Sequence, residues 1–95
     1  MDEHIQFEWD PAKNVVNLRH GVSFEDAALA FFDENALLIA DPDHSDEEDR
    51  FVLLGGSLYG VLVVCHCYRA STIRIISARK ANAWERRAYI EGLNR

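Results

Sequence analysis

Cysteine is nearly missing from this chain. Only Cys65 and Cys67 occur, on either side of His66. A strand sends positions 65 and 67 to one face and 66 to the other, so the trio does not converge on one metal. Neighbours this close rarely meet disulfide geometry. Both thiols therefore read as small buried hydrophobes of a reducing compartment. Long apolar runs are also lacking: nothing approaches the roughly 20 residues of a membrane span. The opening Met1-Asp-Glu-His is acidic and polar, unlike a signal peptide. A cytoplasmic, bacterial-type protein without a membrane partner is the expectation. No repeat and no linker interrupts the chain, so residues 1–95 are expected to form a single domain.

The third scarcity is cationic charge, and it is local. Residues 1–50 hold fourteen Asp/Glu against three Lys/Arg, a balance of −11; residues 51–95 hold two against seven, a balance of +5. The net charge of −6 hides that division. An acidic protein repels nucleic acid on the whole, but local potential decides where an anion binds.

What is present suffices for one core, with 48% hydrophobic residues over 95 positions. Ile5-Gln-Phe-Glu-Trp9 alternates as a short strand does. Asp10-Pro11 then opens a helix, Asp as N-cap and Pro at the first helical position. That helix carries Val15, Val16 and Leu18 and stops at Gly21, with Arg19 and His20 in its last turn. Ser23 caps a second helix with Asp26 at its third position, and Val22 and Ala27 sit as a hydrophobic staple. Ala27, Ala28, Phe31 and Phe32 supply its buried stripe.

Residues 36–40 form a short apolar run, strand or extended segment. Residues 41–49 are polar except for Pro42 and read as a solvated loop. From Arg50 the pattern turns to an antiparallel meander: a strand from 50 to 54, a glycine-rich connection from 55 to 60, an inner strand from 60 to 68, and a last strand from 72 to 78. A helix from about Ala81 to Leu93 closes the chain, with Trp84 and Ala88 set to pack on the sheet.

The last strand, Arg74-Ile-Ile-Ser-Ala-Arg79-Lys80, hands over to Trp84-Glu-Arg-Arg-Ala-Tyr89. Cations therefore gather at one strand–helix junction of an otherwise acidic molecule, a place suited to an RNA phosphate.

Several stretches resemble one family in order and spacing. They are Phe7-Glu-Trp-Asp-Pro-Ala-Lys13, Asn17-Leu-Arg-His-Gly-Val-Ser-Phe-Glu25-Asp-Ala27, Asp41-Pro-Asp-His44, Glu48-Asp-Arg50, Arg74-Ile-Ile-Ser-Ala-Arg79-Lys-Ala, and Glu85-Arg-Arg-Ala-Tyr89. The chain is similar to the BrnT toxins of type II toxin–antitoxin systems. The departures are small: Arg19 stands where Lys is common, and Cys65-His-Cys67 is individual to this chain. The resemblance implies an α+β, RelE-like fold: a small antiparallel sheet, two N-terminal helices and a C-terminal helix packed on it. It implies a ribonuclease that stops translation. It also implies a BrnA-like ribbon-helix-helix antitoxin, through which alone operator DNA is met.

RNA cleavage without a metal or other cofactor needs a base for the 2′-hydroxyl proton, fixed positive charge on the phosphorane, and help for the leaving 5′-oxygen. Arg suits the second task because its planar fork holds phosphate oxygens and stays charged. Arg74 and Arg79 are the first candidates. Their parities differ, so only a bulge or a strand end brings both to one face. A salt bridge to the acidic loop is the competing reading of Arg74. Ser77 shares a face with Arg79 and can donate to phosphate, or is an ordinary hydroxyl near a strand end. His20 is the candidate base, against its simpler role at a helix C-terminus.

Lys13, Lys80, Arg86 and Arg87 read as phosphate-steering residues. Arg50 joins them unless Glu47 or Glu48 takes it. Tyr89 is a candidate for stacking on a base, Trp84 for the core. His66 reads as a satisfied core histidine and His44 as spare. The acidic loop has carboxylates enough for Mg²⁺ but lacks the separated, rigid ligands of two-metal catalysis. A catalytically inactive homologue that only binds its antitoxin and shapes repression is the alternative to the enzyme.

Overall fold

In the computed structural model, residues 5–40 and 49–93 are described. His4 and most of the acidic loop, with His44, lie outside them. The element order is β1 (Gln6–Glu8), α1 (Pro11–Leu18), α2 (Phe24–Ala30), β2 (Leu37–Ala40), β3 (Phe51–Ser57), β4 (Gly60–Arg69), β5 (Thr72–Lys80) and α3 (Ala83–Leu93). The five strands form one sheet in the order β1-β5-β4-β3-β2. The meander β3-β4-β5 forms as the alternation indicates, and residues 37–40 join it as an antiparallel edge strand. The sheet is not purely antiparallel. β1 lies parallel to β5, with Phe7 opposite Ile73 and Glu8 opposite Arg74, because α1 and α2 carry the chain away over one face.

That face holds the main core. Val22, Phe24, Ala27 and Ala30 pack on Leu53, Leu62, Val64, Ile75 and Ala78, with Phe7, Trp9 and Phe31 at the margin. Both caps are formed: the Asp10 carboxylate accepts from Ala12 N–H at 2.9 Å, and Ser23 Oγ from Asp26 N–H at 3.0 Å. Gly21 adopts φ +85° between the two helices, which the tight corner requires. The glycine-rich segment is not all turn. β3 runs on through Gly55 and Gly56 to Ser57. At Gly55 a Cβ would lie 2.6 Å from the Ala30 carbonyl oxygen, so the absence of a side chain lets α2 end flush on the strand.

The inward face of α1 is polar, and that of α2 departs from the expected stripe. On α1, Val15, Val16 and Leu18 point to solvent, and Asn17 is the buried residue. The strand beneath offers backbone N–H and C=O groups that an amide satisfies and an aliphatic side chain does not. On α2, Phe24 and Ala30 are buried while Phe32 is exposed. The second sheet face carries a smaller core, Leu54, Val63 and Ala81 with Leu37, Val61, Ala88 and Tyr89, under α3. Ala88 packs there as expected. Trp84 does not; it stands in the first turn of α3, outside that cluster, and is 72% exposed.

A candidate phosphate-binding face

β5 is not a regular strand. Cys65 of β4 pairs with Ser77 and the next residue, His66, pairs with Ile75, so Ile76 is an extra residue, a β-bulge. Directly paired residues share a face of the sheet. Arg74 pairs with Cys67, Ser77 with Cys65 and Arg79 with Val63. Positions 63, 65 and 67 alternate onto the face away from α1 and α2. The bulge therefore cancels the parity difference and brings Arg74, Ser77 and Arg79 to one face. From the rise of a strand, the backbones of Arg74 and Arg79 stand about 13 Å apart, with Ser77 between.

Each guanidinium has a carboxylate. Arg74 Nη1 donates to Glu8 on β1 at 2.9 Å; most of the acidic loop lies outside the described residues. Arg79 makes a two-pronged pair with Glu85 of α3, Nη1 to Oε1 at 2.8 Å and Nη2 to Oε2 at 2.7 Å. Glu85 also accepts from Asn82 N–H at 2.9 Å, while Glu85 N–H donates to Asn82 Oδ1 at 2.8 Å, a reciprocal capping box. The hydrogen bond from Arg79 holds the Glu85 carboxyl below its usual range, and the same bond raises the guanidinium further. Both groups are thus charged across physiological pH. Sequence reading passed over Glu85 and Glu8. The spacing Asn82-x-x-Glu85 was the available signal for the first; Glu8 required knowledge of the β1–β5 pairing.

Ser77, between the two arginines, is exposed. The remaining candidates are dispersed. His20 lies in the turn after α1 and, with Lys13, Val16, Asn17 and Ile76, lines a cavity of about 320 Å³. Ile76 is the bulge residue, so this cavity adjoins β5 from the α1 side, across the strand from the arginine face. Lys80 and Arg87 are exposed. Arg86 Nη1 donates to the Ala81 carbonyl at 2.8 Å and ties α3 to the strand end. Arg50 is half-buried, and its Nε is buried without a hydrogen-bond partner among the described residues; Glu47 and Glu48 lie outside them.

The Tyr89 hydroxyl donates to Asp33 Oδ2, which also accepts from Gly56 N–H at 2.7 Å. Tyr89 is pushed up to about 12, by this hydrogen bond first and by burial second. His66 is fully buried between the Val64 carbonyl and the Tyr68 hydroxyl, and burial lowers its pKa. It is a core residue.

Among the described residues no group of three or more His, Cys, Asp or Glu side chains is placed to hold a metal, and no helix is long and apolar enough to cross a membrane.

The fold is α+β, with cations on the last strand and on the helix that follows it. A family model described as "Ribonuclease toxin, BrnT, of type II toxin-antitoxin system" matches residues 9–85. The chain belongs to this family of ribonuclease toxins. Its class is therefore the toxin half of a type II pair, with an antitoxin as partner. No curated protein matches it.

Proposed function

We propose that this protein is a metal-independent endoribonuclease that inhibits translation, acts through the β5 face, and is neutralised by a BrnA-like ribbon-helix-helix antitoxin. The observation that carries the reading is the bulge at Ile76, which sets Arg74, Ser77 and Arg79 on one face at the junction with α3.

The chemistry follows from those side chains. The RNA 2′-oxygen attacks phosphorus as its proton passes to a base, and the bond from phosphorus to the 5′-oxygen breaks. The ends are a 2′,3′-cyclic phosphate and a 5′-hydroxyl that has taken up a proton. Arg79 holds a non-bridging oxygen and offsets the charge that builds on it; Ser77 donates beside it. Arg74, farther along the strand, takes an adjoining phosphate. His20, the candidate base by residue type, lines the cavity on the other side of β5, so on the arginine face the 2′-hydroxyl proton passes to solvent water. Lys80, Arg87, Lys13, Arg50 and Arg86 steer the strand electrostatically, and Tyr89 flanks it.

A second reading has its own support. Both guanidiniums are already paired with carboxylates, as expected of a catalytically inactive homologue that binds antitoxin and serves repression.

The two readings separate when the chain, freed of antitoxin, meets single-stranded RNA in EDTA. Cyclic-phosphate ends support the enzyme. Intact RNA with antitoxin binding retained supports the binding module, and cleavage that returns only with Mg²⁺ contradicts the mechanism.

A further inference from the structure

We infer that Glu85 is a positioning residue for the ribonuclease reaction: it grips Arg79 by the end-on edge of the guanidinium and so presents the side edge, Nε and Nη2, to the RNA phosphate. The inference rests on the ribonuclease reading of the β5 face.

Three observations carry it. Arg79 spends Nη1 and Nη2 on the two oxygens of Glu85; among the described residues the one further bond it makes is a long contact of 3.4 Å from Nη1 to the Lys80 carbonyl. A guanidinium has five N–H donors in a rigid plane, so the Nε–Nη2 edge retains two parallel donors with no partner among the described residues. Exposure is divided in the same way: the Glu85 side chain is 15% exposed and that of Arg79 is 53% exposed. The anchor is covered and the presenting group faces solvent. Finally, Glu85 is itself fixed, since Oε1 is bonded to Asn82 N–H and its own N–H to Asn82 Oδ1. The long arginine stem is thereby referred to the rigid start of α3.

A carboxylate beside the guanidinium lowers the net charge of the site, so it does not serve affinity. It serves geometry, and its effect belongs in the chemical step more than in binding. A contact misplaced by about 1 Å costs on the order of 10²-fold in rate.

The test compares wild type, Glu85→Gln and Glu85→Asp, each well below its melting temperature. Two readouts are taken: single-turnover cleavage of an RNA oligonucleotide in EDTA, and binding of the same sequence carrying 2′-O-methyl groups, which is not cleaved. The expected result for Glu85→Gln is cleavage slowed by about 10- to 100-fold with oligonucleotide binding unchanged or tighter, since a negative charge is gone. Glu85→Asp keeps the charge but not the reach, and is expected to cleave more slowly than wild type as well. Glu85→Gln that both binds tighter and cleaves faster would make the carboxylate a competitor of phosphate and overturn the inference. A lowered melting temperature with an unchanged cleavage rate would reduce Glu85 to a helix cap and also overturn it. Wild type that cuts no RNA defeats the ribonuclease reading itself, a result distinct from both.

Discussion

Asn17 and Ala78, 61 positions apart in the chain, are joined by two hydrogen bonds: Asn17 Nδ2 donates to the Ala78 carbonyl at 2.8 Å, and Ala78 N–H donates to Asn17 Oδ1 at 3.3 Å. The same Nδ2 donates to the Val22 carbonyl at 2.9 Å. One buried amide thus fastens the α1–α2 corner to β5 two residues past the bulge. It satisfies backbone groups on the stretch of β5 that β1, paired only with residues 72–74, does not reach.

Asn17→Ala leaves these groups buried and unpaired and is expected to cost about 1–3 kcal/mol, lowering the melting temperature by several degrees. Asn17→Asp should cost more, because a carboxylate cannot donate to the two carbonyls and carries a charge into a buried site. Thermal melts of the two variants check the order. Equal stability to wild type would remove the clamp from the account.

The Asp33–Tyr89 pair predicts a pH dependence. Burial opposes ionisation of Asp33, but donors from Tyr89, Gly56 and Asn35 outweigh it and hold the carboxyl below its ordinary value. A lowered carboxyl contributes stability above its unfolded pKa, lost as pH falls through the folded one. Tyr89, raised to about 12, contributes in full below its unfolded value of about 10, and this is lost as pH rises through about 12. Tyr89→Phe should cost about 1 kcal/mol near neutrality. It should also flatten the alkaline limb between those two values and move the acid limb to higher pH. Melting temperature measured across pH for both proteins is the check.

Much of the fold was legible in the sequence because its signals are local. Asp10-Pro11 and Ser23 place two helix starts by side-chain chemistry, and alternation from Arg50 onward marks the meander. The bulge was not legible. Ile75-Ile76 is two β-branched residues in a row, equally good as regular strand, and only pairing with Cys65 and His66 shows that one of them is extra. The parallel pairing of β1 is likewise a contact between chain ends. Arg74 and Arg79 were legible as candidates by type; that they share a face, and that Glu8 and Glu85 hold them, required the fold. Trp84 misled because an apolar residue on a short helix carries no direction of its own.

Salt dependence separates the cations of α3 and its approach. On single-stranded RNA each neutralised phosphate contributes about 0.7 to the slope of log affinity against log salt. Lys80→Ala and Arg87→Ala should each flatten that slope by about this amount. Arg86→Ala, which loses the bond to Ala81, should lower the melting temperature more than Arg87→Ala. Titrations of an oligonucleotide at several salt concentrations, with melts alongside, read both effects.

Where the scissile phosphate sits is tested most directly by single-turnover RNA cleavage with Arg79→Ala beside His20→Ala and Lys13→Ala, all folded as wild type. If the β5 face holds the phosphate, Arg79→Ala loses on the order of 10²–10³ in rate, and Lys13→Ala changes affinity more than rate. Arg79→Ala at the wild-type rate, with activity abolished by His20→Ala and Lys13→Ala together, would move the reaction to the cavity under α1 and contradict the assignment.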